Sequence, residues 1–160
     1  YSHWKRPAET SRQFELLETL EKISRANGVR PEAQLAMFYA DHDMKLTEGL
    51  SIVKQQARER RGIKTLDALA WVLFKSGKMQ KALQASQRAL RLGTKDPMML
   101  YHHGMIAREL GEHKKATESL EQALAANPHF HPHHAEQARM ALLPLVAGRS
   151  ESQMTSKAIN

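Results

Sequence analysis

The sequence predicts an all-α fold, a superhelical stack of antiparallel helix pairs, and three observations carry that prediction. First, 66–92 and 100–126 match at one fixed offset, with Leu66 on Leu100, Ala70 on Gly104, Gly77 on Gly111, Ala82 on Ala116, Ala89 on Ala123 and Leu90 on Leu124. A period of that length holds one supersecondary unit that buries its apolar face only by stacking on a neighbour. Second, Leu and Ala recur at three- and four-residue spacing while Gly and Pro fall mostly between such runs, which argues helix and gives no strand. Third, 41% hydrophobic and 26% charged residues in 160 are ordinary globular material, enough for one domain with a continuous core.

Taken in order, Lys5-Arg6 is a turn and Thr10 a small position on a second helix, so Tyr1 to Trp4 reads as the tail of a truncated first helix. The helix that follows spans Pro7 to Asn27, with proline in its first turn and Gly28 behind it. Phe14, Leu16, Leu17, Leu20 and Ile23 form its apolar stripe. Helices over Pro31–Asp41 and Lys45–Arg60 make a degenerate pair: Leu35, Ala36, Met37 and Tyr39 precede Leu69, Ala70, Trp71 and Leu73 by the same offset, but Gly49 precedes Ala82 by one less, which places one extra residue near Asp43. Gly49 implies a close helix contact, because Gly inside a helix costs about 0.5–1 kcal/mol relative to Ala.

Two well-formed pairs follow, Leu66–Phe74 with Met79–Leu92 and Met98–Leu110 with His113–Ala126. Small residues at Ala70, Gly104, Ala82 and Ala116 let paired backbones approach, and Gly77 and Gly111 supply left-handed residues just past the first helices. Asn127-Pro128 closes the later pair; the earlier one has its proline at Pro97 instead, so its linker is expected to differ. His133–Leu145 is a lone first helix serving as a cap. The domain therefore runs over 1–146, divided as 1–28, 29–62, 63–96, 97–130 and 131–146, and 147–160, without periodicity, is expected to be a flexible tail.

The 34-residue pattern of paired helices with these small residues resembles the tetratricopeptide repeat. FYADH, ALAW, ALRLGTKDP, YHHGMIA and NPHF resemble a bacterial group of such proteins, in which these segments are the C-terminal repeats of longer chains, cytoplasmic or exported to the periplasm. The resemblance implies a right-handed superhelix with the first helices lining its inner face, a non-enzymatic protein-protein interaction scaffold, and a peptide or helix of a partner in the groove. It places groove positions at Lys64, Asp67, Ala68, Trp71 and Phe74, then Met98, Tyr101, His102, Met105 and Arg108, with Met37 and Arg139 extending the ladder. Trp71 and Tyr101 are the expected anchors and Lys64, Lys75 and Arg108 the steering charges, Trp, Tyr and Arg being the types that most often carry interface energy. The Lys and Asn set that grips a C-terminal carboxylate in some relatives is absent, since Asp67 and Tyr101, then Trp71 and Met105, hold those places.

Composition narrows the remaining classes. Without cysteine there is no disulfide framework and no thiolate site. No apolar run approaches the roughly 20 residues of a membrane span, and the first residues do not read as a signal peptide. The formal charge is +7, with the excess concentrated between Lys54 and Lys95; it suits a polyanion as the alternative partner, although no aromatic sheet or helix-turn-helix register accompanies it and nucleic acid is not expected. His129, His131, His133 and His134 crowd into PHFHPHH, yet no Asp or Glu joins them and paired zinc spacing is missing, so no metal or other cofactor is expected. His103 stands where Leu35 and Leu69 stand and is expected to pack. No phosphate loop, nucleophile elbow or metallohydrolase motif supports an enzyme. The uncovered stripe of the first long helix leads to an expectation of self-association through that end.

Overall fold

The computed structural model describes residues 7–28 and 32–158, with side chains described over 11–28 and 32–148; the Tyr1–Trp4 stub lies outside them. The described chain is eight helices: α1 Pro7–Ala26, α2 Ala33–Asp41, α3 Leu46–Glu59, α4 Ile63–Lys75, α5 Met79–Leu90, α6 Pro97–Glu109, α7 His113–Ala126 and α8 His134–Ala158. None of the helices is long and apolar enough to cross a membrane among the described residues.

Helix ends follow local chemistry. Gly77 and Gly111 adopt φ of 74° and 76°, the left-handed conformation that closes a helix at little cost to Gly. The extra residue expected near Asp43 is there, in a turn whose non-glycine residues Asp43 and Lys45 take φ of 52° and 46°, a conformation that costs such residues energy. The linker before α6 is reshaped around a cap: Asp96 Oδ1 accepts from the backbone N–H of Met98 at 2.9 Å and Met99 at 3.2 Å, with Pro97 at the first helical position.

Small residues decide the pairing. Ala70, Ala82 and Ala116 are wholly buried, and a Cβ built on Gly104 would lie 2.7 Å from Leu120 Cγ and 3.3 Å from the Ala116 carbonyl oxygen. Helix α6 can approach α7 this closely only because residue 104 has no side chain. Gly49 also faces its partner, but a Cβ there would lie 3.5 Å from the Ala36 carbonyl oxygen, ordinary contact. The expected approach is present; the need for glycine at 49 is not.

Each helix packs on the next from α2 to α8, and in addition α2 packs on α4, α4 on α6 and α6 on α8, whereas α3, α5 and α7 do not pack on one another. First helices thus crowd together and second helices splay apart, which curves the stack with α2, α4, α6 and the start of α8 on the inner side. The last helix corrects one expectation: α8 continues past residue 146 to Ala158, so 147–158 is helical. Pro144 removes one donor and crowds the preceding turn, yet the residues beyond it close their own local hydrogen bonds without an apolar stripe, and periodicity cannot register such a helix.

Both ends expose apolar side chains. Leu16, Leu20 and Ile23 on α1 are at least half exposed, and Met140 is 63% exposed although Val72 and Ile106, which hold its place in the two preceding repeats, are wholly buried. In those repeats a second helix follows the first; none follows α8 among the described residues.

Candidate functional site

The inner side carries an aromatic and imidazole cluster built from four elements. Helix α4 brings Asp67 and Trp71 to one face, one helical turn apart, and α6 brings Tyr101 and His102. The ring of Trp71 stacks on His102 with centroids 4.3 Å apart and on Phe74 at 5.1 Å. Trp71 Nε1 donates to Asp41 Oδ1 at the end of α2, at 2.8 Å. His102 Nδ1 lies 2.9 Å from Asp67 Oδ2, so each inner helix is tied to the next by a polar contact as well as by packing.

The turn before α8 closes over this cluster. His134 stacks on Tyr101 at 4.8 Å and on His131 at 4.2 Å, and its Nε2 is 3.5 Å from Asp41 Oδ1. Tyr101 donates its hydroxyl to Gln137 Oε1 at 2.6 Å. Burial pushes the His134 pKa down to about 3, and nearby His131, His102, His133 and Lys75 push the same way. The His131 pKa is lowered, first by burial, with Asp41 opposing. Burial and Asp41 together raise the pKa of Tyr101. His102 Nε2 and His134 Nδ1 are buried without a hydrogen-bond partner among the described residues, and both rings serve here as stacked surfaces. Among the described residues no three His, Asp or Glu side chains converge on a metal position.

The expected groove residues divide accordingly. Trp71 is 4% exposed, Asp67 7%, and Tyr101 and His102 not at all, so the two expected anchors are floor rather than contact surface. The reason is geometric: His134 stacks on Tyr101 and sets its edge against Trp71, with His131 stacked on His134 in turn. Met37, Phe74, Lys75, Met105, Arg108 and Arg139 are half-buried and Lys64 is exposed. Lys75 is held by Asp43 at 2.8 Å and lies over the Trp71 ring. Arg139 pairs with Glu136 at 3.2 Å and also donates to the Pro128 carbonyl oxygen, which fastens the turn that carries the histidines. Arg108 lines a cleft of about 740 Å³ with His113, Lys114, Thr117, Pro144 and Leu145. His103 packs as expected, 8% exposed, its Nδ1 2.8 Å from Ser86 Oγ.

Sequence reasoning missed Asp41, His131, His134 and Gln137. One signal was there to be used, because His134 stands one repeat after Leu100 and two after Leu66, both buried, so the repeat itself points His134 inward.

Residues 99–130 match the family model described as tetratricopeptide repeat. The chain contains a tetratricopeptide repeat. Its fold is that of such repeats over nearly the whole length: the crystal structure of MamA superposes with a TM-score of 0.56 over 94% of this chain and 99% of that one, at 19% identity. At that identity the likeness is one of fold. A comparison with curated proteins finds no match. Stacked tetratricopeptide pairs form a protein-interaction scaffold in the general sense, and the repeat class is a non-enzymatic one.

Proposed function

We propose that the chain is a non-enzymatic scaffold that holds a peptide or short helix of a partner protein on its inner face. The observation that carries the reading is the row of partly exposed apolar side chains on successive inner helices, Met37 on α2, Phe74 on α4 and Met105 on α6, laid over a stiff aromatic floor. Met and aromatic surfaces adapt to apolar anchors, and a preordered floor spares a ligand part of the entropy cost of binding. Lys64, exposed at the start of α4, and Arg108, in the cleft by α8, flank the row and favour acidic residues beside the anchors. Trp71 and Tyr101 act through the floor and do not touch the ligand.

Selection from a random peptide display library on the folded chain tests this. Selected peptides should carry apolar anchors and lose about tenfold or more in affinity, roughly 1.4 kcal/mol, in the double variant Met37→Asp, Met105→Asp. Undiminished binding to that variant at equal foldedness would place the site elsewhere.

A further inference from the structure

On the edge of the stack that carries the turns between α2 and α3, α4 and α5, and α6 and α7, several cations are matched by carboxylates: Lys45 with Glu18 at 2.8 Å, Lys75 with Asp43 at 2.8 Å and Lys115 with Glu112 at 2.7 Å. The opposite edge carries the turn from α3 to α4 and the linker from α5 to α6. Because α4 and α6 lie side by side and start on the same edge, these two segments are neighbours, separated by about one helix diameter, some 10 Å.

Arg58, Arg60 and Arg61 come from the first segment and Arg88, Arg91 and Lys95 from the second. All six are exposed, and none forms an ion pair among the described residues. The carboxylates beside them are already engaged. Asp96 caps α6, and Glu59 accepts from the Gln55 amide at 3.4 Å; Glu32 stands one helix further along, at the start of α2. Arg58 and Arg88 lie in the last turns of α3 and α5, where a cation complements the helix dipole. Arg60 and Arg91 are the C-caps of the same two helices and share that account, whereas Arg61 and Lys95 stand just before the starts of α4 and α6, where the dipole opposes a cation.

We propose that this edge is a docking surface for an acidic polypeptide segment, separate from the inner face. Five of the six cations are arginines, whose planar fork donates two parallel hydrogen bonds to a carboxylate. An extended segment advances about 3.3 Å per residue, so roughly three residues span the gap between the two basic segments. A nucleic acid is the weaker match. Single strands are gripped by stacking on exposed aromatic rings, and neither basic segment carries an aromatic residue. Duplex reading places a helix or ribbon in the major groove, whereas α3 to α6 are all packed against neighbours.

The test uses the chain as it stands and a fluorescently labelled peptide of alternating Glu and Asp, with binding read by anisotropy at low and at physiological ionic strength. The wild type should bind, more weakly as salt rises. The double variant Arg60→Gln, Arg91→Gln should bind about tenfold more weakly, a loss of roughly 1.4 kcal/mol, while Lys78→Gln, Lys114→Gln, which removes the same charge from the opposite edge, should stay within about twofold. Met37→Asp with Met105→Asp should leave this binding unchanged, so failure of the inner-face reading and failure of this one are told apart. Equal losses in both charge variants would reduce the effect to net charge and overturn the proposal. So would the absence of wild-type binding, or tighter binding of a mixed-sequence oligonucleotide of the same charge at this edge.

Discussion

Trp71 Nε1 reaches back along the chain to donate to Asp41 Oδ1 at 2.8 Å, and the same carboxylate oxygen lies 3.5 Å from His134 Nε2. Asp41 thus joins the end of α2 to α4 and to the start of α8. Asp41→Ala should cost about 1–3 kcal/mol, the price of leaving a buried indole N–H without its acceptor. Denaturant melts measure it; an unchanged midpoint would show that the contact contributes nothing.

Two glycines should respond in opposite directions. Gly104→Ala places a Cβ 2.7 Å from Leu120 Cγ and 3.3 Å from the Ala116 carbonyl oxygen, which forces α6 and α7 apart and should lower stability by roughly 1–3 kcal/mol. Gly49→Ala meets Ala36 no closer than 3.5 Å and should raise stability by about 0.5–1 kcal/mol, because Ala is the better helix former. Thermal unfolding of the two single variants decides the matter.

Ala82 and Ala116 are wholly buried in helix-pair crossings. Replacing either with Leu should overpack its pair and cost about 1–3 kcal/mol. A melt that moves for neither variant would refute the repeat register that pairs these positions.

The imidazole cluster sets an acid limit. The folded chain protonates His134 only near pH 3, whereas an unfolded histidine takes its proton near pH 6.5. Between those values the unfolded state binds more protons, so stability is full above about pH 6.5 and falls as pH drops toward 3, by at most about 1.4 kcal/mol per pH unit from this group. His131 and His103, whose pKa values are lowered chiefly by burial, steepen the loss. His134→Leu, the residue type found at 66 and 100, should flatten the profile measured by thermal melts from neutral to acid pH. An equally steep profile in that variant would assign the acid sensitivity to other groups.

The helix pairs, their register and the small residues at their crossings were legible in the sequence because helical structure is local. Three- and four-residue spacing marks which face is apolar, a glycine past a helix end marks the turn, and a fixed repeat step copies both along the chain. The choice of inner-face positions came from the resemblance to the repeat family and not from spacing. Their exposure was not legible. Whether Trp71 and Tyr101 meet solvent is decided by His134, distant from both in sequence, which meets these rings only once α6, α7 and α8 have stacked. The reach of α8 to Ala158 escaped the sequence because its last turns lack an apolar stripe. The charged edges depended on tertiary structure too: sequence concentrates cations between Lys54 and Lys95, but antiparallel stacking sends Lys75 to an edge where Asp43 meets it and gathers Arg60, Arg61, Arg91 and Lys95 on another, where none of the four forms an ion pair among the described residues. Spacing fixes a residue's direction from its own helix; burial and charge balance are properties of whatever the rest of the chain brings to that face.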